Sequence, residues 1–135
     1  MNWANCGIRG FGTYVPLGRI STATLSRPWA NGEPQPGHKS VASHDEDATT
    51  LGIEAARRAL QSARVQPDQV DAVWVGSESK PYAVKTIAAT IAAAVGTPPW
   101  ISAADLEFAC RAATEALLGS TAQVASGHLK CPLVV

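Results

Sequence analysis

Ala72-Val-Trp-Val-Gly76 is an unbroken apolar run, preceded by Asp71 and followed by a polar stretch. A strand that is apolar on both sides of its pleat has no face for water, so it is buried on both faces, as in a parallel sheet. Parallel strands need long crossovers, normally helical, and the neighbouring sequence supplies them. Asp45-Glu-Asp47 opens a helix running to about Ala63, with Ala48, Leu51, Ala55, Ala59 and Leu60 as its buried stripe. Acidic residues in a first turn favour the positive end of the helix dipole, which explains this trio better than a metal site does. Val84 to Val95 reads as an alanine-rich helix stopped by Gly96 and Pro98, and Leu106 to about Val124 as a longer one ended near Gly127. Residues 100–104 read as a short extended segment. Cys131-Pro-Leu-Val-Val135 reads as another strand. Strands alternating with helices predict an α/β layered fold over residues 1–135, without internal repeats.

The front of the chain is harder to read. Gly7 to Pro16 has the look of a strand with close-approach glycines, ended by Pro16. Its glycines, at 7, 10 and 12, do not make the GxGxxG dinucleotide pattern. Residues 17–44 hold most of the Pro, Gly, Ser and Asn, and predict a short helix around Ser21–Trp29 and then a loop through Gly32-Glu-Pro-Gln-Pro-Gly37. The chain stops inside Leu133-Val-Val135, a segment of the kind normally paired on both sides. The expectation is a shortened domain or part of a longer protein.

Composition narrows the function classes. With 46% hydrophobic and 16% charged residues, the chain suits a small globular domain rather than a disordered one. Its formal net charge is zero and its pI about 6.8, which excludes a basic nucleic-acid footprint. No apolar run is long enough for a transmembrane helix, and Met1-Asn-Trp-Ala-Asn5 lacks a signal-peptide layout. The three cysteines, Cys6, Cys110 and Cys131, are widely spaced, with no CxxC and no Cys/His cluster. That argues against a disulfide scaffold and structural zinc, and no metal is expected. A reduced, cytoplasmic protein follows. Trp3, Trp29, Trp74 and Trp100 are too scattered to form a stacking platform.

Two residues are candidates for chemistry. Leu106, Ala109, Cys110, Ala113, Leu117, Ser120 and Val124 recur at helical spacing, which makes Cys110 a small core residue in mid-helix. Ser102-Ala-Ala-Asp105 resembles a capping box for such a helix. Alternatively, a turn through Asp105-Leu-Glu-Phe108 places Cys110 at the helix N-terminus, where a thiol becomes a nucleophile. Spacing leaves both readings open. Glu78 directly follows the apolar strand, in Val75-Gly-Ser-Glu-Ser-Lys-Pro81. Ligands in open α/β sheets bind beyond such strand ends, although a solvated loop glutamate near Lys80 fits equally.

Gly76-Ser-Glu-Ser-Lys-Pro-Tyr-Ala-Val-Lys85 and Ala103-Ala-Asp-Leu-Glu-Phe-Ala-Cys-Arg-Ala-Ala-Thr-Glu-Ala116 are similar to the two active-site segments of 3-hydroxy-3-methylglutaryl-CoA synthases of the archaeal-type branch. Gly7 to Pro16 and Asp45-Glu-Asp-Ala48 resemble that family in order and spacing. The resemblance covers nearly the whole chain. It implies the N-terminal half of a thiolase-like fold. It also implies Cys110 as the residue acetylated by acetyl-CoA, and Glu78 as acid/base for an enolate that attacks acetoacetyl-CoA, in the mevalonate route to isoprenoids. The only cofactor chemistry implied is that of the coenzyme A thioester substrates. The partners implied are further copies of a full-length chain and an acetoacetyl-CoA thiolase.

The match departs at Ala113, where the family has Gly, and at Arg111, often Lys. Family members are more than twice as long, and their second half supplies a catalytic histidine and part of the oxyanion hole. These 135 residues alone are therefore expected to lack useful activity. Of the histidines, His38 and His44 fall in the long loop. His128 lies beyond the helix that follows Cys110, roughly 25 Å away at about 1.5 Å per residue. Arg19 is a weak candidate for a coenzyme A phosphate, and Lys80 and Lys85 for phosphate or carboxylate, with surface roles as the simpler reading for all three. A ketoacyl-carrier-protein synthase III is the alternative enzyme, but that class lacks a glutamate at position 78. A non-catalytic remnant serving as an assembly or binding module is the alternative outside enzymes.

Overall fold

Backbone pairing, rather than burial, organises the first part of the molecule. The computed structural model describes residues 6–27 and 36–135. They form two units, one of residues 15–46 and one of residues 47–135 together with the segment up to Tyr14. In the smaller unit, β1 (Gly18–Ser21) pairs antiparallel with β2 (His38–Val41), Gly18 opposite Val41 and Ser21 opposite His38. Helix α1 (Thr22–Ser26) begins at once after β1, and the Ser21 hydroxyl caps it by accepting from the Thr24 N–H at 3.1 Å. Gly18–Ser21 and His38–Val41 are thus paired strands where the composition suggests helix and loop. Strands of sequence Gly-Arg-Ile-Ser and His-Lys-Ser-Val have no apolar alternation to betray them. Of the expected helix, Thr22–Ser26 is helical; its last two residues and most of the expected Gly32–Gly37 loop lie outside the described residues, as does Trp3.

The larger unit opens with α2 (Ala48–Ala63). Asp47 caps it with a reciprocal box: its carboxylate accepts from the Thr50 N–H at 2.9 Å, and the Thr50 hydroxyl accepts from the Asp47 N–H at 2.8 Å. The acidic trio therefore precedes the helix rather than filling its first turn. The buried line is Thr49, Gly52, Ala56 and Leu60, while Ala48, Leu51, Ala55 and Ala59 flank it, partly buried.

Strand β3 (Ala72–Gly76) is central in a parallel sheet ordered β4-β3-β5, with β4 at Ser102–Leu106 and β5 at Pro132–Val134. Helix α3 (Ile87–Val95) crosses from β3 to β4, and α4 (Ala112–Ala125) crosses from β4 to β5. Alternation along β3 separates the layers. Val73 and Val75 enter a core with Ala56 and Leu60 of α2, Ile87, Ile91 and Val95 of α3, and Leu133 of β5. Trp74 and Gly76 face the other way, onto Gly119 and Ala113 of α4. Gly52 lets α2 sit closely on α3, because a Cβ there would lie 2.8 Å from the Ile91 Cδ1.

Residues 7–16 carry no strand, contrary to expectation. The glycines are close-approach positions, but toward a helix. A Cβ on Gly10 would fall 2.6 Å from the Ala63 Cα, and one on Gly12 would fall 2.3 Å from the Ala59 nitrogen. Residues 10–14 lie on the α2 backbone, and Arg58 fixes them by donating to the Thr13 carbonyl at 2.8 Å and stacking over the Tyr14 ring.

One carboxylate joins these layers. Asp105, on β4, accepts from the backbone N–H groups of Ile87 and Ala88, both at 2.9 Å, and so caps α3 across the sheet edge. Its side chain is 6% exposed. Asp105→Ala leaves those two amides without their acceptor and is expected to cost about 2 kcal/mol, measured by urea denaturation.

Candidate active site

The carboxyl ends of β3 and β4 are level. Gly76 lies opposite Leu106, and the Ser77 N–H extends the ladder by donating to the Leu106 carbonyl at 3.1 Å. Two segments leave the sheet from this edge: the loop 77–86 with Glu78, and the turn 107–111 with Cys110. This is the end at which open α/β sheets bind ligands.

The local fold around Cys110 decides between the two readings that spacing left open. Ser102–Leu106 is strand, so the anticipated capping box does not form and the anticipated helix from Leu106 does not exist. A 3₁₀ turn spans Ala109–Arg111, and α4 starts at Ala112. Cys110 is therefore at the head of the helix and exposed, while Ala112, Ala116 and Ser120 form the buried line of α4. No side chain caps either the turn or the helix. The N-terminal amides of α4, which no side chain caps, thus begin two residues after Cys110. Ala109 sits at φ 46°, a left-handed conformation that costs a non-glycine residue on the order of 1 kcal/mol.

Glu78 reaches the same edge by a different route. A Cβ on Gly76 would lie 2.1 Å from the Ala113 nitrogen, so the end of β3 touches the start of α4 backbone to backbone. Glu78 is two residues beyond one side of that contact and Cys110 three residues before the other. The Glu78 side chain is exposed, with no hydrogen bond or ion pair among the described residues. The described residues do not enclose either group from water.

The remaining candidates separate. The Lys80 ammonium is 2.9 Å from a Glu107 carboxylate oxygen and 3.7 Å from one of Asp105, and its side chain is only 11% exposed. Its surface reading is corrected by this turn inward, which an exposed-looking Ser-Glu-Ser-Lys-Pro sequence does not reveal. Lys85 stays exposed and lies over the Tyr82 ring at 5.7 Å. Arg19, in the smaller unit, turns its guanidinium back onto the Pro16 and Gly18 carbonyls. His38, in β2, and His44 are exposed, while His128 follows α4 and precedes β5, at the opposite end of the sheet from Cys110. Among the described residues no group of three His, Cys, Asp or Glu side chains could hold a metal, and no helix is long and apolar enough to cross a membrane.

Residues 35–135 match the family described as thiolase, N-terminal domain. Hydroxymethylglutaryl-CoA synthase of Thermococcus sibiricus is 51% identical over 130 residues, covering 96% of this chain and 37% of the relative. That of Aeropyrum pernix is 49% identical, covering 98% of this chain and 38% of the relative. The chain spans a little over a third of the length of these curated relatives. A solved 3-oxoacyl-(acyl-carrier-protein) synthase III superimposes with a TM-score of 0.84 at 22% identity, over 94% of this chain and 40% of that one. MvaS in complex with 3-hydroxy-3-methylglutaryl coenzyme A gives 0.81 at 23% identity, over 90% of this chain and 31% of that one. These two likenesses establish the fold, an N-terminal portion of a thiolase-like architecture.

Two outcomes follow from the geometry. Gly76→Ala places a methyl against the α4 backbone and is expected to destabilise the chain by about 3 kcal/mol, seen as a lowered urea midpoint. Alkylation followed by mass mapping at pH 8 is expected to modify exposed Cys110 well before Cys131. Burial, reinforced by the Asp71 carboxylate, raises the Cys131 thiol above its ordinary value of 9.0. Its reactive thiolate therefore becomes populated only at higher pH, and its labelling should catch up as pH rises past that value.

Proposed function

The chain belongs to the thiolase family, through its N-terminal domain, and on that premise we propose that it supplies the nucleophile and the acid/base group of a hydroxymethylglutaryl-CoA synthase. Cys110 attacks the carbonyl of acetyl-CoA, the coenzyme A thiol leaves, and acetyl-Cys110 remains. Glu78 removes a proton from the acetyl methyl group. The resulting enolate attacks the ketone of acetoacetyl-CoA, and the new alkoxide takes a proton. Water then releases the product from Cys110.

The observation that carries this reading is the shared strand end. Glu78 and Cys110 leave adjacent parallel strands at the same edge, on either side of the Gly76–Ala113 contact. Glycine at position 76 makes that approach possible. The chemistry explains why the two groups are separate. A thiolate is needed to form the thioester. A carboxylate is needed later, to move a proton that the thioester has made more acidic. Coenzyme A thioesters as substrates, a cytoplasmic setting, a homo-oligomeric full-length form and an association with an acetoacetyl-CoA thiolase belong to the same proposal. The ketoacyl synthase alternative has fold likeness behind it but no role for Glu78.

The test separates the two roles in the full-length chain. With labelled acetyl-CoA, Cys110→Ala is expected to form no acetyl-enzyme and no product. Glu78→Ala is expected to keep forming acetyl-Cys110 while condensation falls by about 10²-fold or more. Loss of acetylation in Glu78→Ala, with retention in Cys110→Ala, would reverse the assignment.

A further inference from the structure

We propose that Lys80 is a positioning residue that clamps the loop bearing Glu78 to the turn bearing Cys110. The inference rests on the function proposed above for what the clamp serves, and on geometry for its existence. From Glu78 to Lys85, every side chain except Lys80 is exposed. Lys80 alone turns inward, two residues after Glu78, and its ammonium meets Glu107 at 2.9 Å, three residues before Cys110. The second carboxylate, Asp105 at 3.7 Å, is itself fixed by the first two amides of α3. The loop is thus anchored to a helix N-terminus that cannot shift without breaking two hydrogen bonds.

The charge count excludes the more obvious role for a lysine beside such a site. Two carboxylates already surround one ammonium, so Lys80 has no free charge to offer a coenzyme A phosphate. An ion pair with one half-exposed partner adds little net stability, because solvent screens it and holding two side chains in one geometry costs entropy. Its effect is geometric, in holding two segments in one relative position. The hydrogen bond to Glu107, foremost, and the nearby carboxylates raise Lys80 above the ordinary lysine value of 10.5. The lysine therefore keeps its charge through neutral pH and loses it only as pH rises beyond that value.

Hydrogen exchange and acetyl transfer in the full-length chain test this together. In Lys80→Met, backbone amides of residues 77–86 and of 107–111 are expected to lose protection together, by about tenfold. Those of Ala48–Ala63 should be unchanged, and Lys80→Arg should restore much of the protection. Glu107→Gln, at a half-exposed position, gives the same readout should Lys80→Met fail to fold. Change in neither segment, or in the lysine's own loop alone, would overturn the clamp. With acetyl-CoA in deuterated water, Lys80→Met is expected to form acetyl-Cys110 within about threefold of the parent rate. Deuterium entry into the acetyl methyl, the step assigned to Glu78, should fall by about tenfold or more. Equal loss of both steps would show a merely structural role and overturn the positioning claim. Should the parent itself form no acetyl-Cys110, the proposed function fails while the exchange data still decide the clamp.

Discussion

Everything in the larger unit depends on β3 being buried on both faces. One strand has to satisfy two layers with alternate residues, and it does so with opposite kinds of side chain. Val73 and Val75 are branched and fill the space under α2 and α3. Trp74 and Gly76 address α4, one by packing across Gly119 and the other by having no side chain at all. A shift of one residue would exchange these sets, placing the tryptophan in the valine core and a valine against the α4 backbone. Register here is strongly specified for that reason.

What the sequence revealed follows the same logic. β3, α2, α3 and β5 were legible because burial had written a continuous run or a helical period into them. β4 was legible only in part, as an extended segment over residues 100–104, since Ser-Ala-Ala-Asp-Leu has no β-branched residue and becomes strand by pairing with β3. The helical period read from Leu106 placed the start of α4 too early, since α4 begins at Ala112. Periodicity left Cys110 ambiguous, and the resemblance of two short segments singled it out. The segment 7–16 failed differently. Its glycines signalled a close approach without naming the surface approached, which is α2 and not a sheet. β1 and β2 were invisible because both strands lie largely in solvent.

The interactions that organise the candidate site escape any local reading. Asp105 and the amides it caps are far apart in sequence, and the partners of Lys80 lie on another strand's exit. Neither residue stands out by type or spacing. Each is defined by what parallel pairing brings beside it. The ends of β3 and β4 gather a glutamate, a cysteine, an inward-turned ammonium and its acidic partners within two short segments, while His128 is left at the other end of the sheet.

Parallel order also has a temporal side. At the roughly 5–20 residues per second of translation, Ala72–Gly76 emerges some seconds before Pro132–Val134, which pairs with one of its edges. Until α3 and α4 have both been made, the most apolar strand of the chain has no complete shelter. The β1–β2 pair, by contrast, joins strands that are both synthesised before Ala72–Gly76. The growing chain thus carries a locally satisfied unit ahead of a strand that must wait, and that waiting strand is where a nascent chain of this type is most in need of protection.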